Sequence, residues 1–193
     1  VIIEEGLRRM YRDDEDVLYY LTVENEPYEQ PKMPSGARDG ILKGLYKFAD
    51  ADKPRAKRRA QLLGSGAILN EVIKAQEILS DQFNVHADVW SATSYKALYQ
   101  DAQSTQRWNR LHPAGKTKNP YVAQCLADQR GPIVAASDYL KVLPQMLSTH
   151  VGRPIHALGT DGFGRSDTRE TLRDFFEVDH RHIVVATLYE LAR

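Results

Sequence analysis

Cysteine is nearly absent from this 193-residue chain, in which Cys125 is the only thiol. One thiol excludes an internal disulfide and a cysteine-rich metal site, so the default compartment is the reducing cytoplasm. Long apolar runs are missing too: no stretch approaches the roughly 20 residues that cross a bilayer, and no signal-peptide pattern is seen. Net charge is zero, because 26 basic residues balance 26 acidic ones. Neither a membrane nor nucleic acid is therefore expected as a partner.

What is present indicates an ordinary globular chain with room for one domain and an appendage, since 42% of residues are hydrophobic and 27% charged. Residues 1–10 have the pattern of a helix interior, so we expect the chain to be part of something longer. Residues 17–23 are predicted to form a buried strand. The stretch 24–37 holds three prolines without periodicity and is predicted to be an interdomain linker.

After a short element at 40–48, strand and helix patterns alternate along the rest of the chain. Such alternation favours right-handed crossovers and a mainly parallel sheet covered on both faces. The predicted fold class is therefore α/β, a three-layer α/β/α sandwich. Strands are predicted at 60–63, 85–92, 132–136 and 154–158, and helices at 68–79, 95–111, 121–126, 139–150 with a kink or restart at Pro144, 168–176 and 181–193.

Recognisable catalytic and metal-binding patterns are lacking, and no catalytic, cofactor-binding or metal-ligating residue is predicted. The six histidines, among them His180 and His182, show no zinc-like spacing. No serine stands in a nucleophile-elbow pattern, and Cys125 is interpreted as core packing on an apolar helical face. An independent hydrolase would require a nucleophile beside a base, and no such setting is recognisable.

Two glycine turns and one basic run allow a ligand but do not require one. The turn at 64–66 joins a strand to a helix and could hold a phosphate, yet Leu69 stands where a dinucleotide fingerprint has its third glycine. The glycine-rich stretch 159–167 is interpreted as close packing, with Asp167 and Glu170 as a capping box. The basic run 53–59 lacks interleaved aromatics and is interpreted as a solvated linker.

Several blocks together resemble the carboxy-terminal region of the homodimeric pyruvate dehydrogenase decarboxylating component. The blocks at 107–113 and 158–173 are the most specific; transketolases share the fold and a looser form of the second block. Pro27 and Pro31 depart from the family pattern, so the path of the linker is expected to differ from that in the family. The other matching blocks are 25–28, 33–36, 40–46, 62–66 and 88–91.

The resemblance implies three parts: 1–23 as the tail of a pyrimidine-binding middle domain, 24–57 as an interdomain linker, and 58–193 as a transketolase-like carboxy-terminal domain. It implies a parent enzyme of pyruvate metabolism, downstream of glycolysis, that uses thiamine diphosphate and magnesium to decarboxylate pyruvate and acetylate lipoamide. No cofactor is expected in this chain. The family's magnesium site needs a glycine-aspartate-glycine element followed by an asparagine, and the nearest match, 160–163, lacks the first glycine and the asparagine.

The expected role is therefore structural: assembly with the remaining domains of the same chain, with a homodimer partner and with the dihydrolipoyl acetyltransferase core. The alternative is a regulatory domain that binds a nucleotide or another small ligand at the turns around Gly64 and Gly159. The predicted contact surface, called here the glycine loop, comprises Asp161, Gly162, Phe163, Gly164, Arg165, Asp167 and Arg169.

Overall fold

The computed structural model describes all residues 1–193. Its centre is a five-stranded sheet in the order β1-β3-β2-β4-β5, in which β1 is antiparallel to β3 and the other neighbours are parallel. The strands are β1 (Leu45–Ala49), β2 (Arg59–Gly64), β3 (His86–Ala92), β4 (Ile133–Ala136) and β5 (Ile155–Leu158).

Nine helices accompany the sheet, and the first continues as a π-helix over Arg8–Arg12. Each parallel connection contains helix, as right-handed crossovers require. The helices are α1 (Ile2–Leu7), α2 (Arg38–Lys43), α3 (Ile68–Phe83), α4 (Tyr95–Leu111), α5 (Tyr121–Leu126), α6 (Val142–Gln145), α7 (Ser148–Val151), α8 (Arg169–Phe175) and α9 (His180–Ala192). None of them is long and apolar enough to span a membrane.

The sheet separates two hydrophobic clusters, one on each face. Every residue of β2 and β3 is buried, which is typical of central strands covered on both faces. Successive side chains alternate between the clusters: Leu62 packs with α3 and α9, and Leu63 packs with α4 and α5. The predicted three-layer α/β/α fold with a mainly parallel sheet is confirmed.

The predicted strands and helices of the main domain are confirmed within a few residues, with one exception. The exception is the helix predicted over 139–150 with a kink or restart at Pro144: it is shorter and is interrupted at residues 146–147, which leaves α6 and α7 as separate single turns. Pro144 lies in the first turn of α6, where the backbone N–H that proline lacks would have no partner within the helix. Gly152, with a φ of +75°, ends α7 as a left-handed cap.

The strand predicted over 17–23 is wrong. These residues form no strand in the structure, and Leu18, Tyr20 and Val23 are about nine-tenths exposed, at 92%, 88% and 90%. A strand exists only when a neighbour pairs with its backbone groups, and no strand of this chain lies beside them. The apolar composition of the segment is strand-like, but none of the five strands of the sheet pairs with it.

The range 24–57, predicted as a linker, is irregular only in part. From Arg38 onward it contains α2 and then β1, which extends the sheet as its antiparallel edge. Cys125 packs partly buried against the cluster beneath α4 and α5, as its predicted core role requires. Burial raises the pKa of this thiol, and a neutral thiol is a poor nucleophile.

A candidate site at the carboxyl ends of the strands

The topology creates a crevice between β2 and β4. From β2 the chain leaves through α3 to β3, whereas from β4 it leaves in the opposite direction to β5. The two loops therefore separate where the strands end. Such a switch point is the usual ligand position of an open α/β sheet. Here its walls are the turn 64–66 after β2 and the residues Ser137 and Asp138 after β4.

The crevice is occupied by the chain's own segment 22–26, called here the crossing segment. The Oε1 atom of Glu24 lies so near the turn that a Cβ added to Gly66 would be 3.2 Å from it. Contacts at both ends fix the segment. At one end, Thr22 Oγ1 is 2.5 Å from the hydroxyl of Tyr139. At the other end, Arg169 Nη2 donates to Asn25 Oδ1 at 2.5 Å. The two Nη groups of Arg173 donate to the Glu26 carboxylate at 3.1 and 2.5 Å.

Carboxyl groups outnumber cationic groups around the crevice. Burial raises the pKa of Asp138 to about 7, and the hydrogen-bonded carboxylate of Glu24 adds to this rise. Burial disfavours the Arg173 guanidinium, but its hydrogen bonds to Glu26 outweigh this effect and raise the pKa of Arg173. The site thus pairs one arginine with one carboxylate and leaves two other carboxyl groups side by side.

Glu71 on α3 is a further carboxylate close to Arg173. Its carboxylate is 3.9 Å from Arg173 Nη1, and it accepts hydrogen bonds from Lys74 Nζ at 2.8 Å and from the backbone amide of His180 at 3.1 Å. Burial favours the neutral form of Glu71, but the hydrogen bonds from Lys74 and His180 prevail and lower its pKa. An ionised Glu71 holds the amino terminus of α9 against α3.

The turn 64–66 is confirmed as a tight strand-to-helix connection. A Cβ on Gly64 would lie 2.8 Å from the Cα of Leu69, so this glycine allows the helix to pack directly on the strand end. Packing thus explains the glycine without a phosphate. The Glu24 carboxylate of the crossing segment lies beside this turn at Gly66.

The glycine loop follows β5 and lines the outer rim of the same crevice. All residues of 161–169 are exposed. Phe163 is 96% exposed, whereas Arg165 covers the ring of Phe175 at 4.9 Å from its centroid. Arg169 alone among the predicted contact residues reaches the crossing segment, and Asp161 Oδ1 accepts from the backbone amide of Lys141 at 3.0 Å.

The predicted capping box of Asp167 and Glu170 is wrong. Thr168 is the cap of α8, and its hydroxyl accepts from the amide of Thr171. Asp167 Oδ1 instead accepts from the amide of Thr168 at 2.7 Å. Asp and Thr both cap well, and the sequence alone did not distinguish the two neighbouring positions.

One group of potential metal ligands occurs outside the crevice: Asp174, Asp179 and His182. Asp179 already caps α9 through the amide of His182 and pairs with Arg181 at 2.5 Å. These bonds account for its position and lower the pKa of Asp179 to about 2, against the opposing effect of burial. Helix capping therefore explains this group.

Sequence reasoning missed four residues of the crevice: Glu24, Glu26, Asp138 and Arg173. A usable signal existed, because Asp138 follows a confirmed strand at its carboxyl end, where polar side chains of α/β proteins converge. The crossing segment had no such signal. Its position depends on pairing between residues more than 100 positions apart, which no local pattern encodes.

Comparison with known proteins places the chain in a family. Residues 44–179 match the transketolase-like TK C-terminal domain, and residues 1–31 match the pyruvate dehydrogenase E1 component middle domain. The chain is 49% identical to the pyruvate dehydrogenase E1 component of Pseudomonas aeruginosa and 48% identical to that of Escherichia coli K12, in both cases over 100% of the chain and 22% of the relative. The chain thus spans about a fifth of the length of these relatives.

Solved structures support the fold. A transketolase from Pichia stipitis in complex with xylulose-5-phosphate superimposes with a TM-score of 0.59 at 15% identity, covering 84% of this chain and 20% of that one. Transketolase from Leishmania mexicana gives a TM-score of 0.51 at 19% identity, with 80% and 19% coverage. On the match to residues 44–179, the chain belongs to the transketolase-like carboxy-terminal domain family, and its similar relatives are pyruvate dehydrogenase E1 components.

Proposed function

We propose that the chain is the assembly region of a thiamine-diphosphate-dependent pyruvate dehydrogenase E1 enzyme, a cytoplasmic homodimer that decarboxylates pyruvate and acetylates lipoamide. Similarity over the whole chain to E1 components supports the enzyme class. The boundaries 1–23, 24–57 and 58–193 remain part of the proposal. The observation that carries the assembly role is the glycine loop, which presents Phe163 almost fully exposed beside the crevice.

The cofactor is assigned to the rest of the parent enzyme, because the residues of this chain do not fit it. The nearest match to a magnesium element contains Asp161, whose Oδ1 accepts from the Lys141 amide and whose Oδ2 lies 3.7 Å from Lys141 Nζ. A carboxylate already balanced by a lysine is a poor ligand for a divalent cation, and Asp161 belongs to no group of three potential metal-ligating side chains. No catalytic step is therefore assigned to this chain.

Exposed apolar side chains indicate where the partners bind. Phe163 on the glycine loop and Phe175 at the end of α8 are 96% and 56% exposed, and exposed large apolar side chains of this kind are typical of association surfaces. A second area is the unpaired segment 17–23, whose strand-like composition fits a sheet supplied by the remaining domains. The homodimer partner and the dihydrolipoyl acetyltransferase core are the other proposed partners.

The crossing segment argues against the alternative of a small-ligand domain. Glu24 and Glu26 occupy the switch-point crevice, so a diffusible anion would have to displace two carboxylates and the Arg173 pair. The crevice therefore serves as an internal docking site, which agrees with a structural role.

Replacing Phe163 with aspartate is expected to weaken dimerisation of the full-length enzyme by at least about tenfold, as loss of an aromatic interface anchor does. The fold should be unaffected, because Phe163 is exposed in the chain itself. Analytical ultracentrifugation measures the dimer constant. The matched control is Leu111→Asp, an exposed apolar residue at the far end of α4. Equal dimer constants for both variants would remove the glycine loop from the interface.

A further inference from the structure

The basic run 53–59, interpreted from the sequence as a solvated linker, forms a loop at one end of the sheet. It joins β1 to β2 and lies where the parallel strands β2 and β3 begin. Residues 53–58, called here the cationic loop, line an open concavity of about 680 Å³ together with Asn84 and His86. The switch-point crevice lies at the opposite ends of these strands. The cationic loop is therefore separated from both the crossing segment and the glycine loop.

Four cationic side chains of this loop have no carboxylate partner within the chain. Lys53, Arg55, Lys57 and Arg58 are all exposed, and none of them takes part in an ion pair. Among the four, only Arg58 has a side-chain hydrogen bond, which its Nη1 donates to the carbonyl oxygen of Phe83 at 3.1 Å. The concavity is thus lined by charges that the chain itself does not balance.

The two acids that precede the run along the chain are engaged by other groups. Asp50 pairs with Lys47 at 3.2 Å. Asp52 Oδ1 lies 2.6 Å from His86 Nδ1, and Asp52 Oδ2 accepts from Ser80 Oγ at 2.9 Å. Positive charge therefore remains in excess around the concavity, although the chain as a whole is neutral.

Buried groups hold the cationic loop in place. The carbonyl oxygen of Lys53 accepts from Arg59 Nη1 at 3.3 Å. Arg59 is only 7% exposed, and its Nη2 donates to Asp88 Oδ2 at 2.6 Å. Asp52 fastens the start of the loop to the fully buried ring of His86. A loop that is already fixed loses little conformational entropy when a partner binds, which favours recognition.

We propose that the cationic loop docks an acidic segment of a partner protein. Carboxylates along an extended peptide can reach several of the four cations at once, whereas a single small anion contacts only some of them. The lining contains no phenylalanine, tyrosine or tryptophan on which nucleic-acid bases would stack. It also contains no large apolar side chain that would enter a lipid surface. An acidic polypeptide is therefore the partner that this surface fits.

Fluorescence anisotropy of a labelled glutamate-rich peptide, titrated with the full-length enzyme, tests the proposal. Replacing three cations together, Lys53→Gln, Arg55→Gln and Lys57→Gln, is expected to weaken binding by at least about tenfold, because each contributes to the charge complementarity. A glutamine peptide of the same length should not bind. Sodium chloride at about 1 M should abolish binding of the acidic peptide, because it shortens the screening length to about 3 Å.

A second triple variant separates this surface from general positive charge. Arg107→Gln, Arg110→Gln and Lys116→Gln together remove three other exposed cations that form no ion pair, and this variant should keep the parent affinity. Charge reversal by Lys53→Glu with Lys57→Glu should transfer binding to a lysine-rich peptide. Equal affinities of the two triple variants for the acidic peptide would overturn the proposal. Stronger binding of a single-stranded oligonucleotide of equal charge would overturn it in favour of nucleic acid.

Discussion

Replacing Asp88 with alanine is expected to destabilise the chain by about 3–5 kcal/mol, the cost of leaving a buried charge without its partner. Asp88 lies on β3 and is 2% exposed, and its Oδ2 accepts from Arg59 Nη2 at 2.6 Å and from Gln61 Nε2 at 3.0 Å. Its Oδ1 accepts from the amide of Ala51 at 2.9 Å. The substitution therefore removes the carboxylate partner of one buried cation and of two other donors, of which Gln61 Nε2 keeps its bond to the Arg130 carbonyl.

Urea unfolding measures this loss, and a double substitution separates its causes. In an Arg59→Met background, Asp88→Ala should cost much less, because no cation remains to be left unpaired. Asp161→Ala is the control, since Asp161 pairs with a lysine on the exposed rim and should change stability by less than about 1 kcal/mol. A similar cost for Asp88→Ala in both backgrounds would show that the charge pair is not the reason.

The same network predicts a response to acid. Burial raises the pKa of Asp88, but the hydrogen bonds from Ala51 and Gln61 together with the nearby Lys47 and Arg59 prevail, and the net shift is downward. A lowered carboxyl pKa contributes stability above the ordinary value of about 4, and this contribution is lost as the pH falls through the lower folded value. The Asp88→Ala chain should lack this part of the acid transition.

Replacing Gly131 with alanine is expected to destabilise the chain by about 3–5 kcal/mol, the sum of backbone strain and steric overlap. Gly131 has a φ of +84°, and a Cβ at this position would lie 1.7 Å from the carbonyl oxygen of Arg59. That oxygen belongs to the first residue of β2, which is paired with β3. The overlap therefore requires movement of the central strand.

Gly162 provides a matched control for this substitution. Its φ of +86° is nearly the same, but nothing lies within 4 Å of the position that a Cβ would occupy. Gly162→Ala thus adds only the strain of a left-handed backbone, about 1–2 kcal/mol. Thermal or urea unfolding of both variants separates the two effects. Equal losses would contradict the close approach at Gly131.

Local patterns predicted most of the fold. The α3 helix and the all-buried strands β2 and β3 follow from side-chain periodicity, which is set within a few residues. Side-chain periodicity gave a wrong prediction where a strand needs a second strand to pair with. The apolar run 17–23 is strand-like in composition, but a strand requires a neighbouring chain segment, and none is present.

The candidate site was predicted less completely, for a related reason. The glycine turn at 64–66 was found because a strand, a turn and a helix follow one another in the sequence. The crossing segment beside it was not found, because the bonds that hold this segment, such as those between Glu26 and Arg173, join residues far apart in the sequence. The resemblance to the pyruvate enzyme supplied the family, but not the path of the crossing segment.

The central claim is that this chain assembles an enzyme whose cofactor is bound elsewhere. Calorimetric titration with thiamine diphosphate and magnesium tests it most directly, first on the chain alone and then on its mixture with the amino-terminal remainder of the parent enzyme. The account predicts no binding by the chain alone, and higher decarboxylase activity and cofactor affinity of the remainder once the chain is added. Tight binding of the cofactor by the chain alone would contradict it.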